Sequence, residues 1–184
     1  MIKKIKTIAD LRRGLLEIRR SKKKISLVPT MGNLHEGHLS LIKHARNISD
    51  YTVVSIFVNP TQFVAGEDFD EYPRTLDSDI ESISNLNVDL VFMPDTDEIY
   101  PVNDRASVEV PVSELESIHC GKYRPGHFRG VATVVSKLFD MVKPDIAIFG
   151  EKDYQQLLII CNLVKSLFLP IEIIGLPTVR EKNG

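Results

Sequence analysis

The stretch ISLVPTMGNLHEGHLSLIKHARNI, residues 25–48, joins a short apolar run to a helical pattern through a turn that contains Pro and Gly. The β-branched apolar run over 25–28 predicts a strand, and the apolar spacing over 37–48 predicts a helix. Similar apolar runs at 52–58, 89–93, 145–149 and 171–174 predict further strands. Because these runs are almost continuously apolar, they are typical of parallel strands that are covered on both faces.

Helical patterns separate most of the predicted strands. They lie at 7–20, 74–86, 128–142 and 153–168, in addition to 37–48. This alternation predicts an α/β fold with a doubly wound parallel sheet of the Rossmann-like kind, in one domain over residues 1–184. Residues 94–127 interrupt the pattern with a candidate strand, SVEVPV at 107–112, and a Gly- and Pro-bearing loop.

The composition excludes several classes of protein. Twenty-three Lys and Arg against 25 Asp and Glu leave a formal net charge of −2, which supplies no global field for a nucleic acid or an anionic membrane. The apolar runs are far shorter than the roughly 20 residues of a membrane span. Two cysteines without ligand or CxxC spacing, and no signal-like start, predict a cytoplasmic protein.

The turn in residues 29–42 carries the strongest chemical signal. His35 and His38 stand in the pattern HxGH at the start of a helix that follows a strand, where free N–H groups and the helix dipole favour a phosphate. Gly32 and Gly37 allow close approach of the backbone. Two imidazoles three residues apart can grip one phosphate as negative charge develops on it, which favours α-phosphate chemistry of ATP. The alternatives are two capping or core histidines, or a zinc pair that lacks further ligands.

Two further strand ends carry polar side chains. In IFGEKDYQQL, residues 148–157, Lys152 follows a strand and can reach a phosphate, although an exposed Lys beside the helix cap Asp153 fits the same pattern. In SIFVNPTQF, residues 55–63, Gln62 follows another strand and can bind a carboxylate or hydroxyl, and Gln156 is similar. Each glutamine could also be a solvent-exposed turn or helix residue.

Charged residues elsewhere give weaker signals. Arg124 lies in the basic stretch KYRPGHFRGV, residues 122–131, and is a candidate phosphate contact or a surface cation. Asp77 and Asp79 fall inside a predicted helix, where carboxylates are usually solvated. Asp79 is kept as a candidate ligand of Mg²⁺.

Five segments together, PTMGNLHEGHLSLI, SIFVNPTQF, DFDEYPRTLDSD, KYRPGHFRGVATVVSKLF and FGEKDYQQL, resemble the pantothenate synthetase family over nearly the whole chain. HxGH alone is shared with nucleotidylyltransferases and class I aminoacyl-tRNA synthetases. The resemblance implies a ligase that joins pantoate to β-alanine through a pantoyl adenylate and converts ATP to AMP and pyrophosphate. It also implies Mg²⁺ with the triphosphate and a homodimer.

The same resemblance implies roles for individual residues. His38, His35 and Lys152 would be catalytic, Gln62 and Gln156 would orient pantoate, and Gln62 would also adjoin β-alanine. The implied ATP contacts are Met31, Gly32, Asn33, Leu34, His35, Glu36, Gly37, His38, Gly150, Glu151, Lys152, Asp153 and Val179.

The chain ends at Gly184, whereas the family continues with a second phosphate-gripping segment and a smaller C-terminal domain. It is therefore expected to correspond to the N-terminal domain, without the lid, and to show weakened ATP binding and little or no turnover. Two alternatives stay open. One is a nucleotidylyltransferase acting on a phosphorylated acceptor, and the other is a non-catalytic binding or dimerisation module.

Overall fold

A computed structural model describes residues 2–63, 67, 69–101 and 114–184, and these residues form one sheet of six strands. The strands are β1 (Lys3–Ile5), β2 (Ile25–Thr30), β3 (Tyr51–Ile56), β4 (Leu90–Phe92), β5 (Ile146–Gly150) and β6 (Glu172–Leu176). They lie in the order β1-β4-β3-β2-β5-β6, and each neighbouring pair is parallel. The predicted parallel sheet is confirmed.

Seven α-helices lie among the described residues, and the longer ones cover the sheet. They are α1 (Ile8–Arg20), α2 (Glu36–Ile48), α3 (Leu76–Ile83), α4 (Thr96–Ile99), α5 (Cys120–Tyr123), α6 (His127–Val142) and α7 (Tyr154–Ser166). The five predicted helices correspond to α1, α2, α3, α6 and α7. The helix predicted over 74–86 is shorter than expected, because Ser84–Leu86 continues as a 3₁₀ turn that ends at the left-handed Asn87.

One observed strand was missed by the sequence patterns. β1 pairs with β4 from Lys3↔Leu90 to Ile5↔Phe92, but of its three residues only Ile5 is buried. Two lysines and one isoleucine do not form an apolar strand pattern. An edge strand of this kind can therefore be recognised only from its pairing with the neighbouring strand. The candidate strand at 107–112 lies outside the described residues.

The core occupies both faces of the sheet. Leu27 and Val53 pack with the helices α1, α6 and α7 on one face, whereas the next residues, Val28 and Val54, pack with α2 and α3 on the other. This alternation follows from the two-residue period of a strand. Since all four side chains are fully buried, the near-continuous apolar runs are explained by a sheet covered on both sides.

The strand order reverses beside β2, and this reversal positions the site. From β2 the chain proceeds to β3 and β4 on one side, whereas β5 pairs with the other side of β2 and leads to β6. In doubly wound sheets the crevice at such a point, outside the carboxyl ends of the strands, is where ligands bind. Among the described helices, none is both long and apolar enough to cross a lipid bilayer.

Helix α6 packs closely against the 3₁₀ turn Pro60–Gln62, and Gly130 is the residue that allows it. A Cβ atom at Gly130 would overlap the backbone carbonyl of Thr61, whereas the Asn59 side chain donates to the Gly130 carbonyl at 3.2 Å. The absence of a side chain at this position therefore brings the turn that carries Gln62 against the helix.

Gly130→Ala should lower the free energy of unfolding by about 1–3 kcal/mol, the usual cost of overpacking. Gly14→Ala in α1 is the matched control, because its Cβ would first meet the flexible end of Lys3, at 3.0 Å, and alanine favours a helix by up to about 1 kcal/mol. Urea unfolding of both variants checks this. A Gly130→Ala protein as stable as Gly14→Ala would contradict the close contact.

Candidate active site

The turn from β2 to α2 has an unusual backbone. Gly32 and Asn33 are consecutive residues with positive φ, at +84° and +51°. The carboxylate of Asp79 accepts hydrogen bonds from the N–H groups of Asn33, at 3.1 Å, and Leu34, at 2.7 Å. The turn is thus held from outside by a residue of α3, and it leads directly into the first turn of α2.

The two histidines lie against each other at the amino end of α2, with ring centroids 4.2 Å apart. His35 is the N-cap, and its Nδ1 accepts the N–H of Gly37 at 3.1 Å. Nδ1 of His38 accepts the backbone N–H of His35 at 3.4 Å, which completes a reciprocal capping pair. Since both Nδ1 atoms accept hydrogen bonds, each neutral ring carries its proton on Nε2.

The environment of His38 disfavours the imidazolium. Burial, and then the nearby charge of His35, lower the pKa of His38 from 6.5 to about 4, although Asp79 acts in the opposite direction. His38 is therefore neutral at pH 7. It can donate a hydrogen bond from Nε2–H, but it brings no full positive charge.

The full positive charge comes from the adjacent strand end. β5 ends at Gly150, and the 3₁₀ turn Glu151–Asp153 places Lys152 and Asp153 on the lining of the same cavity as His35 and His38. The Lys152 side chain is 71% exposed, and its Nζ lies 3.8 Å from Oδ1 of Asp153. Because it is so exposed, the side chain can swing toward an anion at the histidines.

Gln62 lies on the third side of the cavity, in the turn after β3, and is 9% exposed. Asn59 donates from Nδ2 to Oε1 of Gln62 at 3.1 Å, and Gln62 donates from Nε2 to the sulfur of Met31 at 3.1 Å. Asn59 is itself held by Tyr100, whose hydroxyl donates to Oδ1 at 2.9 Å. This network orients the Gln62 amide so that Nε2 is on the side of Met31, which also lines the cavity.

The cavity has a volume of about 380 Å³ and combines polar ends with an apolar wall. Gln156, on the first turn of α7, is half-buried and lines it. Helix α6 supplies one part of the apolar wall, with Val131, Val134, Val135 and Leu138. A site of this kind, mostly apolar with a few polar groups, is typical of small-molecule binding.

The structure brings most of the predicted site residues together. Those that line this cavity are Met31, His35, Gly37, His38, Gln62, Gly150, Lys152, Asp153, Gln156 and Val179. The others, Gly32, Asn33, Leu34, Glu36 and Glu151, belong to the same turns but are not on its lining. For Asn33 and Leu34 the reason is plain, since their N–H groups face Asp79.

Arg124 is placed differently from the prediction. It does not line the cavity, and its guanidinium forms a two-pronged ion pair with Glu67, at 2.5 Å and 2.7 Å. It also donates to Nε2 of His127 at 3.1 Å, and Nδ1 of His127 donates to the Gln62 carbonyl at 2.7 Å. Arg124 therefore braces the Gln62 turn, because a carboxylate already occupies the guanidinium fork.

Asp79 also departs from the expected solvated carboxylate. It is 3% exposed, whereas Asp77 on the same helix is exposed as expected. Because its oxygens accept two backbone N–H groups and the Thr75 hydroxyl, Asp79 does not fit a ligand of Mg²⁺. No cluster of three or more His, Cys, Asp or Glu able to hold a metal lies in the part of the chain that the structure describes.

The sequence patterns missed some residues of the cavity. Asn59 and Tyr72 line it, and Asn59 is only 1% exposed, yet neither was singled out within the segments SIFVNPTQF and DFDEYPRTLDSD that contain them. The valines of α6 carry the ordinary signal of a core face. Only their position across from the strand ends shows that they also bound the cavity.

The sheet order and the cavity at the reversal define the chain as a Rossmann-like α/β protein. A family model described as pantoate-beta-alanine ligase matches residues 3–184, and the chain belongs to this family.

Relatives and solved structures agree with this assignment. The pantothenate synthetase of Marinobacter nauticus is 54% identical over 180 residues, which cover 98% of this chain and 64% of the relative. That of Pseudomonas fluorescens Pf0-1 is 53% identical, with 98% and 63% covered. The crystal structure of the Thermus thermophilus enzyme has a TM-score of 0.93 at 45% identity, covering all of this chain and 64% of that one.

One of the similar solved structures is described with ligands bound. The pantoate-beta-alanine ligase of Francisella tularensis, described as complexed with beta-gamma ATP and beta-alanine, has a TM-score of 0.90 at 44% identity and covers 99% of this chain and 69% of that one. The chain spans slightly less than two thirds of the length of the Marinobacter and Pseudomonas relatives.

The low pKa of His38 gives stability a specific pH dependence. The unfolded imidazole titrates near 6.5 and the folded one near 4, so this contribution is complete above pH 6.5 and is lost as the pH falls toward 4. His38→Asn should therefore flatten the decline of stability between pH 6.5 and 4. Urea unfolding across this range measures the change in stability.

The pKa of His127 is also lowered by burial, but that histidine is present in both proteins and its contribution cancels in the comparison. An unchanged pH profile in His38→Asn would contradict a buried, neutral His38.

Proposed function

We propose that this chain binds ATP and pantoate in the cavity between β2, β3 and β5 and supports their ligation with β-alanine to give pantothenate. The observation that carries the proposal is the paired His35 and His38 facing the same cavity as Lys152 and Gln62. Membership of the pantoate-beta-alanine ligase family supports it, as does a relative described in complex with an ATP compound and beta-alanine.

In the first step an oxygen of the pantoate carboxylate attacks the α-phosphorus of ATP. The bond from this phosphorus to the oxygen bridging to the β-phosphate breaks, pyrophosphate leaves, and pantoyl adenylate forms. Negative charge grows on the oxygens of the transferred group during the displacement. Groups that are already oriented toward those oxygens stabilise the transition state most, because they need not reorganise.

His35 and His38 supply such groups. Each ring has its Nδ1 engaged by a backbone N–H, so each presents Nε2–H as a donor to the α-phosphate. The amino end of α2 adds its partial positive charge. Lys152, on a flexible and exposed side chain, supplies the full charge and can follow the phosphate as pyrophosphate departs.

Pantoate is bound by the amide groups on the other side of the cavity. Gln62 offers Nε2–H to a carboxylate or hydroxyl oxygen, in exchange for its contact with the Met31 sulfur. Gln156 provides a second amide from α7, and the valines of α6 pack against the methyl groups of pantoate. This arrangement holds the carboxylate in line with the α-phosphate, and such alignment supplies much of the rate.

In the second step the neutral amine of β-alanine attacks the carbonyl carbon of pantoyl adenylate. A C–N bond forms, the bond from that carbon to the AMP oxygen breaks, AMP leaves, and the proton lost from the attacking nitrogen passes to water. A mixed anhydride already has a good leaving group, so the protein supplies alignment rather than a covalent nucleophile. Gln62 adjoins the β-alanine position in this scheme.

The remaining parts of the scheme come from the family resemblance. The ATP contacts are drawn from the segments Met31 to His38 and Gly150 to Asp153 and from Val179, while the N–H groups of Asn33 and Leu34 stay with Asp79. Residues 1–184 form one Rossmann-like ATP- and pantoate-binding domain, and the protein is a cytoplasmic homodimer. Mg²⁺ with the triphosphate stays a prediction, and it would offset negative charge on the phosphates.

Isotope exchange between pyrophosphate and ATP tests the first step directly. Exchange should require pantoate, and Lys152→Ala should reduce it by roughly 10²-fold, the usual loss for a group that stabilises transition-state charge. Lys165→Ala, an exposed lysine at the other end of α7, is the control and should leave exchange unchanged. Exchange that depends on a phosphorylated acceptor instead of pantoate would establish a nucleotidylyltransferase.

Calorimetric titration with Mg-ATP and with pantoate accompanies the exchange assay. His38→Ala should abolish ATP binding if the nucleotide lies at the HxGH turn. Absence of binding and of exchange in the unaltered chain would contradict the proposal and would favour a non-catalytic module.

A further inference from the structure

The turn that presents the histidines directs two of its N–H groups away from the cavity. Those of Asn33 and Leu34 donate to the carboxylate of Asp79, one to each oxygen, at 3.1 Å and 2.7 Å. Asp79 belongs to α3, and it lies 46 residues further along the chain than Asn33. The contact is therefore a long-range interaction that forms only in the folded protein.

The backbone of the turn explains why a negative group belongs there. Gly32 and Asn33 both have positive φ, and for Asn33 this conformation costs energy that other contacts must offset. Successive N–H groups in such a turn converge and form a small anion-binding concavity, known as a nest. In this chain the anion is the side chain of Asp79, which a Cβ on Gly32 would approach to 3.0 Å.

The carboxylate is buried and well satisfied. Asp79 is 3% exposed, and besides the two N–H groups it accepts from the Thr75 hydroxyl at 3.3 Å. A buried carboxylate is stable only with such partners. An empty nest at this position would be a second place for a phosphate to bind, one residue away from the histidine cap.

We propose that Asp79 is a positioning residue, an internal anion that fills the nest at Asn33 and Leu34 and holds the turn in the conformation that presents His35 and His38. By filling the nest it leaves the amino end of α2 and the two imidazoles as the place for the α-phosphate. The position of the α-phosphate rests on the proposed function, whereas the filling of the nest by Asp79 concerns the unliganded protein alone.

The charge of Asp79 also reaches His38. Around His38, burial, His35 and Lys152 act to lower its pKa, whereas Asp79 and Asp153 act to raise it. Removal of the Asp79 charge should therefore move the pKa of His38 further down. A residue with a merely structural role, one that packed without charge, would leave this titration where it is.

Asp79→Asn tests the proposal, because it keeps the shape but replaces one acceptor by an N–H₂ group that faces an N–H. Asp77→Asn is the matched control, since it removes the same charge from the same first turn of α3 at an exposed position. Amide hydrogen exchange and NMR shifts report on Asn33 and Leu34, and the titration of His38 is followed in the same samples.

In Asp79→Asn we expect faster exchange at both amides, a lower pKa of His38, and an ATP dissociation constant raised roughly 10-fold or more, as for loss of a hydrogen bond to a charged group. Asp77→Asn should keep the amide exchange of the unaltered chain and bind ATP within about twofold, because an exposed charge contributes little. Equal behaviour of the two variants would overturn the proposal.

Two further measurements keep the test decisive. If Asp79→Asn does not fold, Thr75→Val, which removes only the hydroxyl contact, should show the same changes at smaller size. In the unaltered chain, ATP should leave the Asn33 and Leu34 amides protected, and movement of a phosphate onto them would overturn the proposal. If ATP does not bind at all, the proposed function fails, while the amide and His38 data still decide the role of Asp79.

Discussion

Parallel pairing of β2 with β3 on one side and β5 on the other is the constraint on which the site depends. In a parallel sheet all carboxyl ends lie at one edge, so the turns that follow these strands meet there. The histidines follow β2, Gln62 follows β3, and Lys152 follows β5. Residues separated by more than 100 positions in the chain thus line one cavity, and the apolar burial of β2 on both faces keeps that edge in register.

Features that depend on local pattern are predictable from the sequence, whereas features that depend on distant partners emerge only in the structure. The strand runs and HxGH are local signals, so five of the six described strands and the cavity residues His35, His38, Gln62 and Lys152 could be inferred. Asp79 and Asp77 have almost the same local context on α3, yet only Asp79 meets the N–H groups of a remote turn. Arg124 and β1 show the same limit, because Glu67 and β4 decide their placement.

The histidine pair illustrates how burial determines chemical role. Two adjacent imidazolium ions would repel each other and would lose solvation at a partly buried site, so His38 stays neutral. The pair still offers two oriented N–H donors at the helix end, and Lys152 supplies the full positive charge from a more exposed position. The division between oriented N–H donors and one mobile cation suits a displacement in which charge moves from the α-phosphate to the departing pyrophosphate.

The polar network around Gln62 argues that this site is rigid before any ligand arrives. Asn59 uses both amide donors, one on Gln62 and one on the Gly130 carbonyl, and its oxygen accepts from Tyr100 and from Thr61. Rotation of the Gln62 amide would set two N–H₂ groups against each other, so its orientation is determined by burial and hydrogen bonding rather than by substrate. The scheme relies on alignment and not on a covalent intermediate with the protein. Loss of a single hydrogen bond at this fixed amide should therefore lower the rate of the reaction.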